Sequence, residues 1–403
     1  MEEYKFNDIE KILNGGELQP NFNVNLDGTE KSIYIGMTDK DEKGNVIDSS
    51  CSGEDIEQLY KSSKDYLDSL NNFDNYIIWI YSIGALARFL NNYLLNRFKI
   101  DELFENNLRK ANLTNYQNMI FNSFNKIIIY LLSFQYKFDK VNNEKIAPIL
   151  DGLSQRMVEN FKTNYNKYLK NMKETHTPDE MKKINASFQP HLNLVEFINN
   201  FKINKNIALN KFREYVNIGL VNTEIYYLID YMLDLYITKN DMIQILELLK
   251  DTMIRILTNA PKIPKTIKFY KSIGATEKDY KVGQESKQLV VNSVTCSRHT
   301  NLGMFINLKN HCCLFEITYK EGLPALFLDY TKTAYGKQMS EVILPPNITF
   351  VIKAKEMRNI LSYDFKDKEN NLTKITNPKP FINLSYSNPQ FTEIMVYEVE
   401  CNT

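Results

Sequence analysis

Three short segments in the second half of the chain place a cation, a group of hydroxyls and a carboxylate at the ends of apolar stretches. Glu341 directly precedes the apolar triplet 342–344, which two prolines end. Upstream, an apolar stretch ends in hydroxyls at Thr295 and Ser297, and an earlier one ends in Lys271. A lysine can hold an anionic group, hydroxyls can orient a polar ligand, and a carboxylate can stabilise positive charge that develops during a reaction.

The order of these segments resembles the active-site framework of the mono-ADP-ribosyltransferase toxin superfamily, and the resemblance covers about residues 205–403. Phe269-Tyr270-Lys271 is similar to the family's first-strand motif, an aromatic residue followed by Arg. Thr295-Cys296-Ser297, with Phe305 downstream, resembles its Ser-Thr-Ser motif. The segment 341–345 is similar to the catalytic strand, in which Glu precedes an apolar triplet.

The resemblance implies that the chain cleaves the bond between nicotinamide and ribose in NAD, with Glu341 as the catalytic residue. In this interpretation the carboxylate stabilises an oxocarbenium-like ribose, the cation holds the phosphates, and the hydroxyls orient the nicotinamide ribose. The implied NAD-binding residues are Tyr270, Lys271, Thr295, Ser297 and Phe305.

The resemblance implies that the loop 329–340 meets an acceptor, most readily a protein or another macromolecule. Tyr335 is placed like an aromatic residue that packs against the target, and Gln338 and Met339 precede the catalytic carboxylate. Two positions depart from the family's pattern. Lys271 replaces Arg and loses the planar fork that grips phosphate. Met339 stands where Glu or Gln is usual, and its thioether cannot orient a guanidinium.

These departures leave three functions open. The first is an NAD-dependent mono-ADP-ribosyltransferase, the second is an NAD glycohydrolase, and the third is a non-catalytic interaction protein with a decayed ADP-ribosyltransferase fold. From the residues alone, Glu341 is also compatible with an ordinary strand-end carboxylate, and Thr295 and Ser297 with the cap of a following helix.

Composition argues against other classes of site. The chain has 403 residues with 49 basic and 49 acidic side chains, so its overall charge does not attract nucleic acid. Its five cysteines form no disulfide framework. We predict no metal site, because the adjacent Cys312 and Cys313 point to opposite sides of a strand and cannot both ligate one ion.

Hydrophobic periodicity predicts an α+β fold with an all-helical N-terminal domain. We expect a polar arm over 1–53, a helical domain over 54–200 for delivery, regulation or partner binding, and an ADP-ribosyltransferase-like domain over 201–403. The resemblance implies that the last domain holds helices followed by two small packed β-sheets around an NAD cleft. Predicted helices are 76–98, 114–138, 146–172, 192–201, 205–217, 222–236 and 239–257. Predicted strands are 266–272, 288–296, 313–319, 324–328, 341–344, 348–353 and 393–400.

The chain begins with an acidic, polar segment that has no signal-peptide pattern. Its longest apolar run, 76–90, carries Arg88 and is shorter than the roughly 20 residues that span a bilayer. We therefore expect no membrane span, and either a cytoplasmic location, in a host or in the producing cell, or delivery by a non-classical route.

Overall fold

The computed structural model separates the chain into two compact units, each of which is described by itself. Of the described residues, those of Asn71–Thr252 form the first unit, and those of Glu17–Leu70 and Met253–Thr403 form the second. The predicted domain limits, 1–53, 54–200 and 201–403, stay predictions. The described residues are 53–82, 84–104, 114–186, 212–213, 215–217, 219–220, 222–274, 280–295, 312–328, 341–359, 362–366, 372–376 and 393–402.

The described part of the first unit is helical, and several of its helices begin at side-chain caps. Thr114 and Gln117 form a reciprocal capping box at one helix start. Thr238 and Asp241 do the same at another, which confirms the predicted cap there. The helices with assigned bounds are Asn72–Ser82, Ala85–Leu94, Ile100–Phe104, Asn115–Phe134, Lys140–Glu159, Phe161–Thr175, Thr223–Tyr236 and Lys239–Thr258, the last of which continues into the second unit.

Two predicted helices are each divided in the structure. The predicted 76–98 helix is interrupted at Gly84, whose φ of 81° is left-handed and ends the helical path. The predicted 146–172 helix is interrupted at Asn160. The predicted segments 192–201 and most of 205–217 lie outside the described residues. No helix in the described part of the chain combines the length and the apolar composition that a membrane crossing needs.

The second unit contains a mixed eight-stranded sheet in the order β2-β7-β10-β4-β1-β3-β6-β5. Among the strands that the structure describes, only β10 and β4 pair in parallel. A separate two-stranded pair, β8-β9, was not predicted. The strands are β1 Ile267–Gly274, β2 Glu285–Gln288, β3 Asn292–Thr295, β4 Cys312–Tyr319, β5 Leu326–Phe327, β6 Glu341–Leu344, β7 Ile348–Asn359, β8 Ser362–Lys366, β9 Leu372–Thr376 and β10 Glu393–Asn402. Helices together with this sheet confirm the predicted α+β class.

One face of the sheet carries the main hydrophobic core of the second unit, and we call it the core face. Phe269 on β1, Ile317 on β4 and Val294 on β3 are buried on this face. The helix Gly53–Ser69 adds Leu59 to the same core, which explains why this helix belongs to the second unit. Burial of such side chains contributes roughly 1.5–3 kcal/mol each and holds the strands in register.

Candidate functional site

The eight-stranded sheet consists of two parts that meet at one residue pair. Strands β2, β7, β10, β4 and β1 form the larger part, and β3, β6 and β5 form the smaller part. Within the described residues, β1 and β3 are paired only at Tyr270 and Thr295. We call this pair the seam. The sequence predicts two small sheets, and the structure instead joins a five-stranded and a three-stranded part at the seam.

Three of the predicted site residues lie in one row across the seam. Tyr270 is opposite Thr295, and Thr295 is opposite Glu341. Directly opposed residues in antiparallel strands share a face and have Cα atoms about 4.5–5.5 Å apart. We call this side of the sheet the hydroxyl face. Tyr270 and Thr295 are buried there, whereas Glu341 is half-buried at the start of β6.

Ser293 holds the carboxylate of Glu341. Its hydroxyl donates a hydrogen bond to Oε1 of Glu341. Ser293 is two residues before Thr295 on β3, and side chains two apart on a strand share a face. Desolvation raises the pKa of Glu341, and the hydrogen bond from Ser293 opposes that rise. The site thus has a desolvated carboxylate whose ionised form is stabilised by one hydroxyl.

The backbone on the other side of Glu341 is also fixed. The amide of Leu328 donates to the carbonyl oxygen of Glu341 at 3.0 Å. The next strand outward, β5, would be a free edge, but the amide of Phe327 donates to Oγ of the fully buried Ser63 at 3.0 Å. Tyr60 packs edge-on against Phe327 with ring centroids 5.9 Å apart. The Gly53–Ser69 helix therefore closes the edge beside the strand that carries the carboxylate.

Lys271 lies on the core face, opposite to Glu341. It follows Tyr270 on β1, so alternation places its side chain on the other side of the sheet. Its Nζ donates to Oδ1 of the buried Asn292 at 2.6 Å, which links β1 and β3 just beyond the seam. Desolvation lowers the pKa of Lys271 to about 8. The cation and the carboxylate therefore flank the seam from opposite faces.

The structure places Tyr270, Lys271, Thr295 and Glu341 next to the seam, three of them on the hydroxyl face. The remaining predicted site residues, Ser297, Phe305, Tyr335, Gln338 and Met339, lie outside the described residues.

Sequence reasoning did not assign a role to Ser293, although it is the residue that contacts Glu341. The available signal was its spacing. A hydroxyl two residues before Thr295 must share the face of Thr295 once this segment is a strand. No sequence motif marks Asn292 as the partner of Lys271. Their contact depends on how strands β1 and β3 are placed relative to each other, and these strands are separate in the sequence.

No group of three or more potential metal ligands occurs among the described residues. Within the part of the chain that the structure describes, Cys313 and Cys401 form no disulfide. The neighbouring side chains of zinc-ligand type in the sequence, Cys296, His299 and His311, lie outside the described ranges.

We expect Ser293→Ala to change the pH dependence of any reaction that needs ionised Glu341. Loss of the hydrogen bond raises the pKa of Glu341 further, because that bond stabilises the ionised form. The acid limb of a plot of kcat against pH should therefore move to higher pH. A hydrogen bond worth about 1 kcal/mol predicts roughly fivefold lower kcat on that limb and little change at alkaline pH.

Ser286→Ala on the edge strand β2 is the matched control for this experiment, and its pH profile should overlay that of the unmodified chain. An unshifted acid limb in Ser293→Ala would show that this hydrogen bond does not control the ionisation of Glu341.

Comparison with known proteins gives partial structural likenesses only. No protein-family model and no curated protein matches the chain. Among solved structures, it is similar to Plx2a, an ADP-ribosyltransferase toxin from Paenibacillus larvae, with 10% identity, a TM-score of 0.26, and coverage of 39% of this chain and 72% of that one. It is also similar to the Vis toxin, an ADP-ribosyltransferase from Vibrio splendidus, with 13% identity, a TM-score of 0.24, and coverage of 39% and 57%.

The enzymatic component C2-I of the C2 toxin from Clostridium botulinum is a further similar structure. It shows 16% identity and a TM-score of 0.26, and the match covers 39% of this chain and 36% of that one. The structural neighbours are thus ADP-ribosyltransferase toxins that resemble only part of the chain, and these likenesses assign it to no family.

Proposed function

We propose that the second unit binds NAD at the seam and cleaves its nicotinamide–ribose bond, as an ADP-ribosyltransferase does. The observation that carries this proposal is the hydrogen-bonded Ser293–Glu341 pair at the end of a row of hydroxyls. A desolvated carboxylate next to sugar-binding hydroxyls is the arrangement that cleavage to an oxocarbenium-like ribose needs. The resemblance of segments 269–271, 295–297 and 341–345 to the family's motifs supports the same chemistry.

In the proposed reaction, the bond between ribose C1′ and the pyridinium nitrogen of nicotinamide breaks. Its electron pair leaves with the nitrogen, so nicotinamide departs as a neutral molecule. The ionised carboxylate of Glu341 stabilises the positive charge that develops on the ribose. A nucleophile then forms a bond to C1′ and releases its proton to solvent. Glu341 acts here by electrostatics and hydrogen bonding, without forming a covalent bond.

The roles of the other residues follow their places around the seam. Thr295 and Tyr270 supply hydroxyls on the face of Glu341 and would line the ribose end of the site. Lys271 supplies positive charge from the core face and would attract the phosphates. Ser297 and Phe305 stay proposed contacts to NAD, and Tyr335, Gln338 and Met339 stay proposed contacts to the acceptor.

The nature of the nucleophile separates transfer from hydrolysis. We propose a macromolecular acceptor, most readily a protein, presented at the 329–340 loop. Because Met339 cannot hydrogen-bond a guanidinium, we do not expect arginine to be the modified side chain. Transfer to water would make the same site an NAD glycohydrolase. The helical unit would then localise or regulate the activity, or bind a partner.

The test is a product balance with NAD labelled in its adenine ring. The purified chain is incubated with labelled NAD, with and without a cell lysate, and nicotinamide, free ADP-ribose and protein-bound label are quantified. We expect nicotinamide release with part of the label bound to protein when lysate is present. Equal amounts of nicotinamide and free ADP-ribose under both conditions would identify a glycohydrolase. Absence of nicotinamide release in both conditions would contradict the proposal.

A further inference from the structure

The helix Gly53–Ser69 buries a hydroxyl in the middle of an apolar stripe. Leu59, Ser63 and Leu67 are four residues apart, so they share one side of the helix, and all three are buried. Leu59 lies in the core of the second unit. Burial of a hydroxyl is unfavourable unless the group meets a polar partner. The presence of Ser63 in this stripe is therefore explained by its partner and not by packing.

The partner of Ser63 is the edge strand of the sheet that carries Glu341. The amide of Phe327 donates to Oγ of Ser63 at 3.0 Å. Strand β5, Leu326–Phe327, has two residues and is the last strand in the order of the sheet. Because so short a strand forms few ladder bonds, a bond from outside the sheet contributes much to its position. The ring of Tyr60, edge-on to Phe327, adds a second contact from the same helix.

The chain next to β5 fixes the backbone of Glu341. The amide of Leu328, which directly follows Phe327, donates to the carbonyl oxygen of Glu341 at 3.0 Å. Phe327 itself is opposite Val342 in the ladder. Glu341 is the first residue of β6, and the ends of an element open more readily than its centre. The position of Glu341 therefore depends on how firmly β5 is held.

We propose that Ser63 is a positioning residue for the carboxylate of Glu341: the helix Gly53–Ser69 fixes β5, and β5 fixes the strand end that carries the acid. This inference rests on the proposed function, because it concerns the geometry of that same site. Ser293 contacts the carboxylate directly, whereas Ser63 acts on the backbone through β5. Misplacement of a reacting group by about 1 Å can lower a rate about 100-fold, so an anchor at this distance can control kcat.

The proposed anchor lies outside the part of the chain that resembles the ADP-ribosyltransferase family. Ser63 and Phe327 are 264 residues apart in the sequence. The hydroxyl of Tyr66 forms another polar contact between this helix and the second unit, because it donates to the carbonyl oxygen of Ile256 at 2.8 Å. Of these two contacts, the one at Ser63 reaches the strand beside Glu341. The two residues therefore allow docking of the helix to be separated from positioning of the carboxylate.

The test measures steady-state nicotinamide release by helix variants of the full-length chain. Ser63→Ala removes the acceptor of the Phe327 amide and should lower kcat about tenfold. KM for NAD should change less than twofold, because the displaced carboxylate acts in the transition state. Ser62→Ala is the matched control, since the Ser62 hydroxyl donates only to carbonyl oxygens of its own helix among the described residues. Its kcat should equal that of wild type.

Tyr66→Phe distinguishes positioning from general docking of the helix. This variant keeps the ring but loses the hydrogen bond to Ile256, so it should lower Tm and leave kcat within twofold of wild type. An equal fall of kcat in Tyr66→Phe and Ser63→Ala would overturn the proposal. Nicotinamide release with an unchanged kcat in Ser63→Ala would reject only this inference. No release by wild type would contradict the proposed function and this inference with it.

Tyr60→Leu covers the case in which Ser63→Ala does not fold. Tyr60 is half-buried, and its replacement loosens the contact with Phe327 while Ser63 is retained. Hydrogen exchange should become faster in peptides that contain 326–328 and 341–344, and kcat should fall about threefold with KM unchanged. Faster exchange in both segments with a wild-type kcat would overturn the proposal. Unchanged exchange in both would also overturn it, because β5 would then not depend on the helix.

Discussion

Replacing Glu341 with glutamine should lower kcat for nicotinamide release by about 10²–10³-fold, the range found when a group that stabilises transition-state charge is removed. Glutamine has the same shape and keeps an oxygen that can accept from Ser293, so the local structure is retained. What disappears is the negative charge that opposes the developing positive charge on the ribose. KM for NAD should change much less than kcat, because the lost interaction acts in the transition state.

The matched control is Glu398→Gln on β10. Glu398 is exposed and belongs to the same sheet, but three strands separate it from β6 in the strand order. We expect this variant to retain the wild-type kcat. If the Glu341→Gln variant kept more than about a third of the wild-type kcat, the result would show that the charge of Glu341 does not take part in the reaction.

Truncation of Phe269 should produce the largest loss of stability in the second unit. Phe269 is fully buried in the core of the sheet, next to the seam residues on β1, and its ring centroid lies 5.5 Å from that of Tyr319. Phe→Ala changes in such cores cost about 3–5 kcal/mol, from lost burial and from the cavity that remains. That is a large share of the roughly 5–15 kcal/mol that stabilises a typical domain.

Urea unfolding followed by far-UV circular dichroism measures this loss, and hydrogen exchange of peptides from β1 and β4 locates it. Val282→Ala is the control, because that side chain is 59% exposed and its truncation should change the free energy of unfolding by less than about 0.5 kcal/mol. A loss below about 1 kcal/mol in Phe269→Ala, with unchanged exchange in both strands, would contradict the assigned core.

The elements that sequence patterns predict well are those whose signals are local. The cap at Thr238 and Asp241 and the helix Lys239–Thr258 follow from residues within one turn of each other. Non-local pairing is not visible in the same way. The predicted 288–296 strand contains β3 and only the last residue of β2, and these two strands lie in different parts of the sheet because β2 pairs with β7 and β3 pairs with β6.

The candidate site shows the same limit. The sequence places Thr295 and Glu341 at strand ends, and the register puts them opposite each other. The sequence does not show that Lys271 and Glu341 lie on opposite faces of the sheet. The face on which each side chain lies depends on the single Tyr270–Thr295 pairing between β1 and β3. The Asn292–Lys271 contact likewise depends on how β1 and β3 separate beyond that pair.

The central claim is that a carboxylate at the seam drives cleavage of NAD, and the most direct measurement is nicotinamide release by the wild-type chain, read against the Glu341→Gln variant as the blank. The account predicts release that is linear in protein concentration and falls to the background hydrolysis of NAD in the variant. Equal release by both chains, or none above background from wild type at saturating NAD, would contradict it.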